Sequence, residues 1–226
     1  MRRAAAPIRV VDDHQLVASS LAAGLRAAGY HDTRHLPIRS IPELLATIGW
    51  IVRTGLVLLD LELGHDHTGG RIDGVALVAP LRDAGWRVLA LSDNTAPERI
   101  GAALAAGAAG AVPKAAPFAT LLTALRNTLA DRPVVPEAQR RELIEHHRRH
   151  RRDHRDLHEA VAALTVRERE ILEHMAAGRR AQAIAETYVV SVATVRTQIR
   201  GVLTKLGVNS QLEAVALYSR QHRSGP

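Results

Sequence analysis

Between residues 8 and 129 the chain alternates five short apolar runs with five helix-permissive segments. The runs are Ile8–Val11, Thr33–Leu36, Leu56–Leu59, Val88–Leu91 and Ala109–Val112. The spacing predicts helices from about His14, after Ser40 with Pro42 in its first turn, and from about Gly74, Pro97 and Phe118. Strand and helix in strict alternation predict a parallel sheet, because parallel neighbours need a crossover long enough to hold a helix. Both faces are then covered, and the strands read as continuous apolar runs. Chemistry in such a fold gathers at the carboxyl ends of the strands.

Those ends carry Asp12 and Asp13, then Asp60, Ser92 and Lys114. Three carboxylates, a hydroxyl and an ammonium on one edge form a pocket of hard oxygen ligands for a divalent cation, with one carboxylate able to act as a nucleophile. The strings VVDDH at 10–14, VLLDL at 57–61, ALS at 90–92 and VPK at 112–114 are similar to the receiver domain of two-component response regulators. The resemblance covers about residues 7–130. It implies a five-stranded, doubly wound, flavodoxin-like sheet and an acidic pocket that holds Mg2+. It further implies Asp60 as phosphoacceptor, Asp13 as a direct metal ligand and Asp12 as a ligand acting through water. Ser92 and Lys114 would contact the phosphoryl group, and a histidine kinase would supply it.

Two departures bear on the switch. DLELGHDHTGGRIDG, residues 60–74, is six residues longer than the usual segment and lacks its proline, which predicts a long, mobile, glycine-rich loop. Three residues before Lys114, where the family commonly has an aromatic ring that couples pocket to signalling face, stands Ala111. Glu62 adds a negative charge beside Asp60. Two readings follow: a receiver switched by phosphorylation of Asp60, or a phosphorylation-independent receiver that acts as a dimerisation or ligand-sensing module.

The C-terminal stretch from Leu164 to Leu217 has a different grammar. Thr165 precedes a run with apolar residues at helical spacing that stops at Gly178. After a second short helix, Ser191 precedes a longer one in which Val195, Ile199, Val202, Leu203 and Leu206 share a face, before Gly207; a last helix follows Ser210. Two helices joined by a tight turn, the second with a cationic outer face, predict a helix-turn-helix. LTVREREIL, Gly178, SVATVR at 191–196, KLGV at 205–208 and EAV at 213–215 resemble the DNA-binding domain of LuxR-type regulators. That resemblance implies a four-helix, all-α domain in which Arg196, Thr197 and Arg200 face base edges. Ser191, Thr194, Arg179 and Arg180 would hold phosphates, and the last helix, with Val215 and Tyr218, would form a dimer face. Together the two resemblances identify the chain as similar to the NarL/FixJ type of response regulator.

Between the two lies a segment rich in arginine and histidine. Positions 143, 147, 150, 154, 157, 161 and 164 follow the spacing of a coiled-coil seam, but three are histidine, which excludes a fully apolar zipper. Five linker histidines, with i,i+4 pairs such as His146/His150, raise a metal or pH-sensing role beside the plainer one of a solvated connecting helix. His65 and His67 read as exposed loop residues. The expected division is therefore a receiver at 7–130, a helical linker at 131–160 and a DNA-binding domain at 161–223.

The net charge of +7 favours a polyanionic partner, here double-stranded DNA. Of 30 basic residues only Lys114 and Lys205 are lysine, and both stand inside the motifs quoted. Zero cysteines exclude disulfides and thiolate chemistry. The opening MRRAAA is followed by an apolar run too short for a signal peptide, and no segment has the length of a membrane span. The expectation is a cytoplasmic, homodimeric transcriptional regulator with no membrane association and no turnover activity as an enzyme.

Overall fold

The computed structural model describes residues 6–49, 55–66, 69–93 and 96–223, with no side chains described beyond Ser219. His67 and the first five residues lie outside them. The chain divides into two compact units, Met1–Arg148 and Arg149–Pro226.

In the first unit, β1 (Ile8–Val11), β2 (Thr33–His35), β3 (Leu56–Asp60), β6 (Arg87–Ser92) and β7 (Gly110–Pro113) form one parallel sheet in the order β2-β1-β3-β6-β7. The helices are α1 (Gln15–Ala27), α2 (Ile41–Gly49), α3 (Val75–Asp83), α4 (Pro97–Ala105) and α5 (Phe118–Leu129). Each expected strand and helix is present within about two residues. Ser40 Oγ accepts the Glu43 amide at 3.3 Å, capping α2 as its position predicts. Every residue of β1 and β3 is buried, the signature of a sheet covered on both faces. One apolar layer joins Val57, Leu59, Val88 and Ala90 to α2, α3 and α4; the other joins Val10, Leu58, Leu89 and Leu91 to α1 and α5.

The lengthened segment after Asp60 is not an irregular loop. It folds into an antiparallel hairpin of β4 (Glu62–His65) and β5 (Arg71–Asp73), closed by Gly70 N donating to Asp66 Oδ1 at 2.8 Å. Leu61, Leu63 and Ile72 alternate with polar residues, and all three are buried against Val11, Leu44 and Leu77. That period-two alternation is the strand signal the glycines obscured.

Helix α6 (Glu137–Ala162) is continuous across 26 residues, and the boundary between the units falls within it. In the second unit, α7 (Val166–Ala176), α8 (Ala181–Tyr188), α9 (Val192–Leu206) and α10 (Gln211–Arg223) surround Ile171, Leu172, Ile184, Val195, Ile199 and Val202. Leu157 and Val161, on the seam positions of α6, join the same core. The predicted punctuation holds: Thr165 and Glu168 form a reciprocal capping box, Ser191 Oγ accepts the Thr194 amide, and Gly178 and Gly207 have φ of 74° and 65°.

Candidate functional site

Strand register brings the predicted pocket together. Val11 lies beside Leu59, Asp60 beside Leu91, and the Lys114 amide donates to the Ser92 carbonyl at 3.0 Å. Asp12, Asp60 and Ser92 are 1%, 0% and 3% exposed, so two carboxylates are withheld from bulk water. Lys114 Nζ lies 2.7 Å from Asp60 Oδ2, 3.1 Å from Asp12 Oδ2 and 3.1 Å from Asp93 Oδ2. Burial alone presses this ammonium toward deprotonation, but hydrogen bonds to Asp60, Asp12 and Asp93 together outweigh it and raise its pKa above the ordinary value. Burial raises the Asp60 pKa. The opposing effects of Lys114 and of the Glu62 amide, donating to Oδ1 at 3.0 Å, are smaller.

Asp12, Asp13, His14 and Asp60 each offer a donor atom within 4.8 Å of the others. Asp12 Oδ2 is buried with the Lys114 ammonium 3.1 Å away, and a carboxylate oxygen so placed keeps a further lone pair of the kind that a cation satisfies. The oxygen-rich set suits a hard divalent ion. His14 and Asp93 were not anticipated. His14 Nδ1 sits 2.8 Å from Asp13 Oδ1, and its backbone amide donates to Asp12 Oδ1 at 2.8 Å. Asp93 follows Ser92, and its adjacency to a strand end was the available signal.

The inserted hairpin walls the pocket on one side. A Cβ added to Gly64, at φ +64°, would lie 2.7 Å from Asp13 Oδ2, so the chain passes the Asp13 carboxylate where only glycine fits without displacement. Gly74 closes the insertion more tightly still, its would-be Cβ 2.1 Å from the Asp60 carbonyl oxygen.

In the second unit, Val195, Ile199 and Val202 bury one face of α9, which leaves Arg196, Thr197 and Arg200 on the exposed face. The Thr197 hydroxyl donates to the Ala193 carbonyl at 3.1 Å. Ser191, Thr194, Arg179 and Arg180 are exposed as well, with Arg180 at the N-cap of α8 and Ser191 at that of α9. The cationic helix face and an anion-accepting N-terminus thus adjoin. Tyr218 and Val215 pack partly against the core, whereas Leu212, on the same α10, is 80% exposed.

Comparison with known proteins agrees with both halves. Residues 8–126 match the response regulator receiver domain, and residues 162–218 match the luxR family of bacterial regulatory proteins. Transcriptional regulatory protein DesR of Bacillus subtilis is 29% identical over 142 residues, 63% of this chain and 64% of that protein. Probable transcriptional regulatory protein NarL of Mycobacterium tuberculosis is 30% identical across 74% of this chain and 79% of its own length. A solved structure of the Salmonella typhimurium RcsB response regulator superposes with a TM-score of 0.50 at 20% identity, covering 95% of this chain and 98% of that one, which bears on the fold alone. The chain belongs to the response regulators that join a receiver domain to a luxR-family DNA-binding domain, and it is a transcriptional regulator of that family.

Proposed function

We propose that phosphorylation of Asp60 by a histidine kinase controls dimerisation and DNA binding. The observation that carries this reading is the convergence of Asp60, Asp12 and Lys114 within 3.1 Å contacts at a buried strand end. Asp60 Oδ attacks the phosphorus of a phosphohistidine, the new P–O bond forms as the P–N bond breaks, and the imidazole takes up a proton. Lys114 then neutralises a phosphoryl oxygen, and Ser92 reports the group by hydrogen bonding to it. Asp12, Asp13 and Asp60 would hold Mg2+, which supplies positive charge to the phosphoryl oxygens. Asp60 turns over no substrate other than its own acyl phosphate.

In the DNA-binding domain, Arg196, Thr197 and Arg200 read base edges in the major groove. Ser191, Thr194, Arg179 and Arg180 hold backbone phosphates. One small domain buries too little for tight binding, so a homodimer on paired half-sites is the working form, with α10 at the dimer face. The receiver spans 7–130, the linker 131–160 and the DNA-binding domain 161–223. The DNA target places the protein in the cytoplasm, away from membranes. Among the described residues, no helix is long and apolar enough to cross a membrane.

The test is Mg2+ with beryllofluoride, a phosphoryl mimic, on wild type and Asp60→Ala. Wild type should dimerise and bind operator DNA more tightly, and the variant should do neither. A wild type that is already dimeric and unchanged by the mimic overturns the reading.

A further inference from the structure

Helix α4 is gripped from two directions. Near its N-terminus, Arg99 donates through Nη2 to the Leu61 carbonyl, one residue beyond Asp60, and to Asp73 Oδ1 at 2.9 Å. Leu61 and Asp73 bracket the two strands of the inserted hairpin, so one guanidinium holds both ends of that insertion. Arg99 Nε is buried without a hydrogen-bond partner, 3.9 Å from Glu62 Oε1. A small movement of Glu62 would complete that pair.

Two residues on, about 200° around the helix axis, Gly101 meets the first half of the linker helix. A Cβ there would lie 2.1 Å from the Leu143 carbonyl oxygen and 2.9 Å from His147 Cβ. The backbones of α4 and α6 therefore touch, which only glycine allows. At the far end of α4, Arg140 donates to the carbonyl of Leu104, in the last turn, at 3.0 Å and to that of Ala108, just beyond it, at 2.9 Å. The helix has the pocket-side insertion bonded near one end, and the linker packed against its middle and bonded at its other end. Ala111, in place of an aromatic ring, packs against the same apolar layer as Ala103 of α4.

We propose that α4 carries the state of the acidic pocket to residues 137–148 of the linker helix, with Arg99 as the positioning residue that couples the hairpin to α4 and with Gly101 and Arg140 as the seat of the linker. Because backbone contact at Gly101 leaves no compliant side chain between the helices, a displacement of α4 moves the linker with it. The ring that commonly couples the pocket to the signalling face is thereby dispensable. The inference rests on the reading that Asp60 is the phosphorylated group.

Hydrogen–deuterium exchange on the full chain tests it, following the peptide 138–147 with and without Mg2+ and beryllofluoride while fluorine NMR reports occupancy of the pocket. In wild type, saturation should change exchange in that peptide by about threefold or more. Arg99→Ala should bind the mimic as fully, melt within a few degrees of wild type, and lose the exchange response; Arg99→Lys should restore part of it. Gly101→Val should speed exchange of 138–147 without any mimic, and Arg140→Ala should do so more weakly in a chain that packs normally. Equal responses in wild type and Arg99→Ala at equal occupancy would overturn the inference, because coupling is shown by its loss and not by adjacency. An occupied wild-type pocket with no change at 138–147 overturns it too and leaves the Asp60 reading standing. Failure of wild type to bind the mimic removes that reading, and this inference with it.

Discussion

Lys205 Nζ lies 2.6 Å from Glu168 Oε2, the same oxygen that accepts the Thr165 amide at 2.8 Å and the Thr165 hydroxyl at 2.9 Å. One carboxylate oxygen thus completes a capping box and ties α9 to the start of α7. In the receiver Lys114 joins three carboxylates, so both lysines of this arginine-rich chain tie distant elements through ion pairs.

Lys205→Ala should cost about 1 kcal/mol at neutral pH, the scale of a charge-assisted bond that is partly solvated. The Lys205 hydrogen bond, followed by the Thr165 amide, lowers the Glu168 pKa below its ordinary 4.5. A depressed carboxyl contributes stability that is present above 4.5 and lost as pH falls through the lower folded value. Urea titrations of wild type and variant should therefore converge in acid. A difference that persists well below pH 4.5 assigns the effect to packing of the lysine stem.

Asp60→Asn should stabilise the apo receiver at neutral pH. Burial raises the Asp60 pKa above 3.8, so its favourable contribution is complete below 3.8 and is lost as pH rises through the raised value. The urea midpoint of the variant should exceed that of wild type increasingly with pH. Mg2+ at a hundredfold excess over its dissociation constant should restore about 2.7 kcal/mol to wild type and little to the variant.

Gly64→Ala should weaken Mg2+ binding. The added methyl sits 2.7 Å from Asp13 Oδ2, and φ +64° is strained for any L side chain. A fall of about tenfold in affinity, which is about 1.4 kcal/mol, is expected by calorimetry. Gly69→Ala, at φ +86° but with open space around it, shares the backbone strain and should leave the affinity unchanged.

Val189→Gly should stabilise the second unit. Val189 ends α8 in the left-handed region at φ 54°, with its side chain 92% exposed, so it bears the strain of a β-branched residue there with little burial in return. A gain of about 0.5–1 kcal/mol is expected after allowance for the freedom of glycine in the unfolded chain. A raised urea midpoint with an unchanged slope would show it.

Arg200→Ala should lower operator affinity by about 1–3 kcal/mol and relax preference at one base position. Arg179→Ala should weaken all sequences alike and reduce the salt dependence of binding by about one unit of slope. Binding measured across a set of single-base operator variants at two salt concentrations separates the two. Uniform weakening by Arg200→Ala would make that arginine a phosphate contact.

The sequence by itself determined what is written in contiguous residues. Apolar runs and their helical intervals dictated the five-stranded parallel sheet, and its topology sent Asp12, Asp60, Ser92 and Lys114 to one edge. Thr165, Gly178, Ser191 and Gly207 marked helix ends because a cap acts within three or four residues of itself. Only the tertiary structure decided which distant groups meet. Asp93 joins Lys114, Glu168 joins Lys205, and Arg99 closes on Leu61 and Asp73 because strand register and helix packing set those distances. The hairpin after Asp60 was hidden for a related reason: its glycines signalled a loop, while burial of Leu63 and Ile72 against residues far along the chain made it sheet. Gly101 is the clearest instance. Within α4 it reads as a weak helix former, and its purpose exists only where the backbone of Leu143 arrives.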